Sequence, residues 1–177
     1  MTATGVTLFD TPIGRCGLAW RAQGIVGVQL PEAAGVERAR LLHRFPDALE
    51  SRRPPNVVDA IAKVVLHLAG EAPDLDSIEL DMKGVPEFDR RVYEITRAIP
   101  RGRTRSYGEV AAALGDPGAA RAVGQSLGRN PFPIIIPCHR VLAAAGRPGG
   151  FSAHGGVVTK LRLLALEGAP GNTEFDF

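Results

Sequence analysis

Residues 105–130 read RSYGEVAAALGDPGAARAVGQSLGRN, and they decide the architecture of the second half of the chain. Ser106 followed by Glu109 is the S-x-x-E pattern of a capping box, in which each side chain satisfies the other residue's backbone N–H, so a short helix is predicted from there to Gly115. Asp116 and Pro117 then supply an N-cap and a first-turn proline for a second helix reaching about Gly128. Two short helices across a tight turn make a helix-turn-helix pattern. The second helix carries Gly118, Ala119, Ala120, Ala122 and Gly124 around one large cation, Arg121. Small side chains suit close approach to a nucleic-acid groove, but they equally suit helix-on-helix packing, and the pattern alone leaves both readings open.

Immediately downstream, PFPIIIPCHR (131–140) sets three branched aliphatics and a proline before Cys138, His139 and Arg140. The chain has 2 cysteines, Cys16 and Cys138, too few and too far apart for a disulfide framework or a zinc spacing, and its 4 histidines add no ligand pattern. Both thiols are read as reduced, with no metal and no cofactor. A thiolate is a soft nucleophile, and a preceding proline with basic neighbours is expected to hold Cys138 rigid and lower its pKa. Adjacent side chains usually point apart, so proton transfer between Cys138 and His139 is expected to run through a water.

Outward from this core, composition sets the class. With 45% hydrophobic and 23% charged residues among 177, the chain can bury a core. No window approaches the ~18 apolar residues of a membrane span and the N-terminus has no signal-peptide pattern, so a soluble, cytoplasmic protein is expected. The net charge of +2 is unevenly spread: residues 1–85 carry 9 basic and 11 acidic side chains, residues 86–177 carry 12 and 8. Between 90 and 162 all twelve bases face only Glu94, Glu109 and Asp116, which suits a polyanionic partner.

Upstream, VTLFD, GLAWRA and GIVGVQL read as an antiparallel meander punctuated by Pro12, Gly14, Gly17 and Gly24. A helix is predicted over Val36–Phe45. A second, in NVVDAIAKVVLHLAG, has Asn56 as N-cap, Gly70 at its end, and Val57, Val58, Ile61, Val64, Val65 and Leu68 on one face. SIELDM supplies one further strand, and Lys83–Pro86 a linker. PEFDRRVYEITRAIP then restarts helical spacing at Phe88, Val92 and Ile95, so an α/β chain of two domains, 1–85 and 86–177, is expected.

SYGEVAAAL, AARAVGQSLGRNPFPIIIPCHRV and KLRLLALEG resemble the O6-alkylguanine-DNA alkyltransferase family, the methylated-DNA–protein-cysteine methyltransferases, over roughly residues 86–168. The resemblance implies a ribonuclease-H-like first domain and a mainly helical, winged-helix-like second domain. It implies a protein that flips O6-alkylguanine out of duplex DNA and takes the alkyl group irreversibly onto Cys138. By the same resemblance His139 is the base acting through water, Glu167 orients it, Asn130 holds the active-site turn, and Tyr107 donates a proton to the departing purine. Arg121 fills the gap left by the flipped base, with Ala120, Ala122, Gly124, Ser106 and Arg129 as further DNA contacts in the minor groove. Pro133, Val141, Phe151 and Ser152 correspond to the purine pocket, and a monomer is expected.

The loop GGFSAHGG (149–156) departs from the family pattern: Phe151 stands where an aromatic residue with a hydroxyl is usual, and Ala153 and His154 look inserted. Four glycines suggest a mobile lid, and His154 is read as a solvated turn residue. The departure leaves the accepted alkyl group open. Two other classes compete. An alkyltransferase-like lesion binder lacks the reactive cysteine, which Cys138 opposes, and a cysteine hydrolase needs a nucleophile elbow that this sequence does not contain.

Overall fold

The computed structural model describes residues 4–169, which form two compact units. One comprises the described residues up to Lys83 together with Pro131–Ile135; the other comprises Gly84–Asn130 and the described residues from Ile136 onward.

In the first unit, strands β1 (Gly5–Thr11), β2 (Gly14–Arg21) and β3 (Gly24–Gln29) form the expected antiparallel meander. The turn into β2 requires φ +127° at Gly14, a value that L side chains rarely adopt. Helix α1 (Val36–Arg44) packs on this sheet, and Val6, Ala19, Val26, Leu41 and Ala48 form a shared core. A short strand β4 (Leu49–Glu50) joins β1 in parallel, giving the order β3-β2-β1-β4. Helix α2 spans Pro55–Leu68.

Three local expectations change. SIELDM is not a strand: Leu80 makes one isolated bridge to Ile25, after which the Asp81 carboxylate accepts from Lys83 N–H at 2.9 Å and turns the chain away. Asn56 is not the N-cap of α2; Pro54 occupies that position and Pro55 opens the helix, where a missing N–H costs no intrahelical bond. The buried face of α2 is Val57, Ala60, Ile61, Val64, His67 and Leu68, while Val58 is 52% exposed. Both Val57 and Val58 fit an apolar periodicity, and the sequence cannot tell which of two adjacent valines the sheet receives.

The second unit is mainly helical. Helix α3 (Glu87–Arg97) buries Val92, Tyr93 and Thr96. Tyr93 O–H donates to the Ser126 carbonyl at 3.0 Å, and Arg91 donates to the Leu114 carbonyl at 2.8 Å, so α3 is tied to both halves of the 105–130 stretch. Helix α4 (Tyr107–Ala113) has the predicted capping box: Glu109 N–H donates to Ser106 Oγ at 3.1 Å, and Ser106 N–H to Glu109 Oε2 at 2.6 Å. Such a cap stabilises the helix start by about 1 kcal/mol. Asp116 caps as predicted, accepting from Gly118 N–H at 3.2 Å, but Pro117–Ala119 form a 3-10 turn before helix α5 (Ala120–Gly128) begins. Strand β5 (Arg105–Ser106) pairs in parallel with β6 (Val141–Leu142), and helix α6 (Gly156–Leu166) packs against the 3-10 turn Cys138–Arg140. No helix among the described residues is long and apolar enough to cross a membrane.

Candidate active site

The capping box on Ser106 sets Tyr107 as the first residue of α4, and the Asp116 cap sets Arg121 in the first turn of α5. Between them opens a cavity of about 860 Å³, with Tyr107, Arg121, Gly124, Cys138, Phe151 and Ser152 in its wall. Ser106 and Ala120 also border it. Arg121 and Ser152 are exposed at the rim, whereas Tyr107 and Phe151 are half-buried and Cys138 lies at 7% exposure. The chain segments that meet here all lie between Ser106 and Ser152, and the β5–β6 pair joins two of them, since β5 leads into Tyr107 and β6 follows Arg140.

Cys138 opens a 3-10 turn whose first N–H donates to the Ile136 carbonyl at 2.8 Å. Burial pushes its thiol pKa up, against the expected lowering; a hydrogen bond from Asn130, the Lys160 charge and the turn's own backbone N–H groups oppose that rise. Asn130 also donates Nδ2–H to the Ile136 carbonyl at 2.9 Å, so one amide fixes both the backbone entering the turn and the sulfur. The resting thiol is therefore protonated but surrounded by groups that favour its anion.

Lys160 was not foreseen as a functional residue. It is fully buried on α6, donates Nζ–H to the Val141 carbonyl at 2.6 Å and the Gly150 carbonyl at 3.4 Å, and lies 5.7 Å from the centre of the Tyr107 ring. Desolvation pulls its pKa down from 10.5 to about 8, with the Cys138 sulfur opposing. Its sequence signal was present: a lone lysine in VVTKLRLLAL, three and four residues before the buried Leu163 and Leu164. Tyr107 has its phenol pKa raised by burial and then by Cys138, so it stays a protonated donor.

His139 and Glu167 meet at 2.7 Å, His139 Nε2 to Glu167 Oε1, both fully buried side chains. Arg140 grips the same carboxylate in bidentate fashion, Nε to Oε2 at 2.9 Å and a terminal nitrogen to Oε1 at 2.9 Å, and its other terminal nitrogen donates to the Ile99 carbonyl. With Nε2–H donating to Glu167, the lone pair of neutral His139 resides on Nδ1. Arg140 is the second residue given no role in advance, although the sequence sets it next to Cys138 and His139 in the stretch 131–140.

The remaining candidates are placed as follows. Val141 is fully buried in β6 and reaches the site only through its carbonyl on Lys160. Pro133 lies half-buried in the Pro131–Ile135 segment of the other unit, and Ala122 is half-buried on α5; neither lines the cavity. Arg129 caps the end of α5 and pairs with the buried Asp89 at 3.0 Å. His154 is exposed and its carbonyl accepts from Thr159 Oγ1 at 2.6 Å. A nucleophile sits on a shaped wall, with a neutral donor, a buried cation and a carboxylate-held imidazole around it, an arrangement suited to displacement at carbon by sulfur.

The family model described as 6-O-methylguanine DNA methyltransferase, DNA binding domain, matches residues 87–169. A methylated-DNA–protein-cysteine methyltransferase of Mycobacterium leprae is 49% identical over 160 residues, covering 89% of this chain and 88% of its own. One from Mycolicibacterium paratuberculosis is 47% identical over 158 residues with the same coverage. Among solved structures, Mycobacterium tuberculosis OGT in complex with DNA superposes with a TM-score of 0.76 at 35% identity, over 95% of this chain and 96% of that one. On the fold, the thiol-centred cavity and this likeness along nearly the whole length, the chain belongs to the methylated-DNA–protein-cysteine methyltransferase family.

Proposed function

We propose that this protein repairs O6-alkylguanine in double-stranded DNA by moving the alkyl group onto its own Cys138, once per molecule. The observation that carries the reading is Cys138 itself: a buried thiol in the wall of a cavity that Tyr107 and Phe151 also line, with Asn130 and Lys160 favouring its anion. As substrate enters, the Cys138 proton passes through a water to His139, whose Nε2–H is held by Glu167. The sulfur attacks the alkyl carbon; an S–C bond forms and the C–O6 bond breaks, its electron pair going to the purine. Tyr107 donates its phenolic proton to guanine N3 as that charge develops. The product is a thioether, which neutral water does not cleave, so no turnover follows.

DNA enters along α5 in the minor groove, where Ala120, Ala122 and Gly124 allow close approach and Arg121 occupies the space of the extruded base. Ser106 and Arg129 contact the backbone, and Phe151 and Ser152, which line the cavity, are assigned to purine recognition. The finer architecture belongs to the same proposal: a ribonuclease-H-like domain over 1–85, supported by the meander with its two helices, and a winged-helix-like domain over 86–177, supported by the helix-turn-helix with its β5–β6 pair.

The test is intact mass after incubation with a duplex containing O6-methylguanine. One added methyl, about 14 Da, on the Cys138 peptide and never more than one per chain is expected. Methyl on Cys16, or repeated turnover, would remove the proposal.

A further inference from the structure

Helix α3 sends two buried side chains to one end of α5. Asp89 and Tyr93 stand four residues apart and so share a face of α3. Tyr93 O–H donates to the Ser126 carbonyl at 3.0 Å, and both Asp89 carboxylate oxygens accept from one terminal nitrogen of Arg129, at 3.0 and 3.3 Å. Ser126 lies in the last turn of α5, where carbonyls run out of helical N–H partners. Its carbonyl is closed by the Tyr93 hydroxyl and by Arg129 N–H at 3.0 Å. A phenylalanine would fill the space of Tyr93 with no hydroxyl to satisfy, so packing alone does not account for the tyrosine.

The residue after Arg129 is the amide partner of the cysteine. Asn130 N–H donates to the Leu127 carbonyl at 3.1 Å, so its backbone continues the turn that ends α5. Its side chain donates to the Ile136 carbonyl at 2.9 Å, which also accepts from Cys138 N–H at 2.8 Å, and it hydrogen-bonds the Cys138 sulfur. Pro131–Ile135 cluster with the first unit, so within the second unit this amide links the end of α5 to the cysteine turn. A shift of that end would move the amide off the sulfur, and misplacement by about 1 Å at a reacting centre can cost roughly a hundredfold.

We propose that Tyr93 is a positioning residue for alkyl transfer: with Asp89 it fixes the C-terminal end of α5, and so holds the Asn130 amide on the Ile136 carbonyl and the Cys138 sulfur. It acts through Asn130, not on the substrate. The inference rests on Cys138 being the alkyl acceptor. Burial, then the Asp89 charge, push the Tyr93 phenol up to about 12; Arg129 opposes the rise and Cys138 adds to it. The hydroxyl therefore stays a donor at neutral pH. Lys160 and Tyr107 are the other ionisable side chains that interact with the sulfur.

Single-turnover methyl transfer from O6-methylguanine duplex to the full chain, timed across pH, tests this. Tyr93→Phe keeps the ring and removes only the hydroxyl. At saturating duplex it should slow transfer by roughly two- to tenfold, the worth of one hydrogen bond, with the half-saturating concentration unchanged. The rising limb of the pH–rate profile should move to higher pH, by up to about one pH unit, as the thiolate loses its amide. In an Asn130→Ala background Tyr93→Phe should slow transfer no further, because the two residues act as one path. Thr96→Val is the control: it removes a buried hydroxyl of the same helix, bonded at 2.7 Å to the Val92 carbonyl within α3, and should leave rate and limb as in wild type. Asp89→Asn loosens the second contact and should change rate and limb in the same direction as Tyr93→Phe. Circular dichroism reports folding; if Tyr93→Phe does not fold, Asp89→Asn carries the comparison, and if Asn130→Ala leaves no measurable transfer, the limb and the Thr96→Val control decide. Wild type that takes no methyl on Cys138 would overturn the function proposed above and this inference with it. Normal transfer in wild type together with an unmoved limb in Tyr93→Phe, a full further loss on top of Asn130→Ala, or an equal loss in Thr96→Val would each overturn this inference alone.

Discussion

Cys16 and Cys138 are both buried, one in each unit, and burial raises the pKa of both. Around Cys16 little opposes that rise: it reaches about 12, with a weak hydrogen bond to Thr11 against the charge of Glu37. Around Cys138 stand an amide, a buried ammonium and the N–H groups of a 3-10 turn. Burial alone makes a cysteine an inert apolar residue. It becomes a nucleophile where desolvation is countered by groups that stabilise the anion, and the low dielectric then makes each of those groups count for more.

The largest test of this contrast exchanges the two thiols' roles. Cys138→Ser should abolish alkyl transfer while Cys16→Ala leaves it intact, read by mass after exposure to O6-methylguanine duplex. If Cys16→Ala also abolishes transfer, in protein that still melts cooperatively, the contrast fails.

Next in size is Glu167→Gln. It removes the charge between two buried partners, His139 and Arg140, and leaves the guanidinium uncompensated. Loss of such a buried partner costs about 3–5 kcal/mol, read as a lower denaturant midpoint, and transfer should slow equally on duplex DNA and on the free base O6-benzylguanine. An unchanged midpoint would mean Arg140 does not depend on Glu167.

Lys160 sharpens the comparison through pH. Its pKa is depressed, so between about 8 and 10.5 the unfolded chain binds more protons than the folded one, and stability rises with pH across that window. Wild type should therefore gain stability relative to Lys160→Met from pH 8 to 10.5. Cys16, raised from 9.0 to about 12, acts in the opposite sense: its contribution is lost between those values. In kinetics, Lys160→Gln should slow transfer by roughly tenfold, one pKa unit of thiol activation, and move the rising limb of the pH–rate profile to higher pH. A limb that does not move would make Lys160 a packing residue only.

Arg121→Ala should slow duplex repair by up to roughly tenfold and leave reaction with O6-benzylguanine unchanged, because only a stacked base must be extruded. Equal losses on both would assign Arg121 to the fold. The smallest effect belongs to His154→Ala: the residue is exposed in a turn, and the pH–rate profile should stay put. A shifted profile would bring it into the proton path beside His139.

Much was fixed by sequence alone. The meander, the capping box at Ser106 and Glu109, the Asp116 cap and the order of helices follow from turn residues, periodicity and local hydrogen bonds, interactions spanning three or four residues. Cys138 and His139 were conspicuous because a thiol and an imidazole adjoin. Tertiary structure decided what lies beyond that range: that Glu167 is shared between His139 and Arg140, that Lys160 turns inward to two carbonyls, and that Val57 rather than Val58 meets the sheet. It also reversed the sign expected for the Cys138 thiol. A run of nearby bases suggests a lowered pKa, but desolvation depends on how much of the chain closes over the sulfur, and no local pattern encodes that depth.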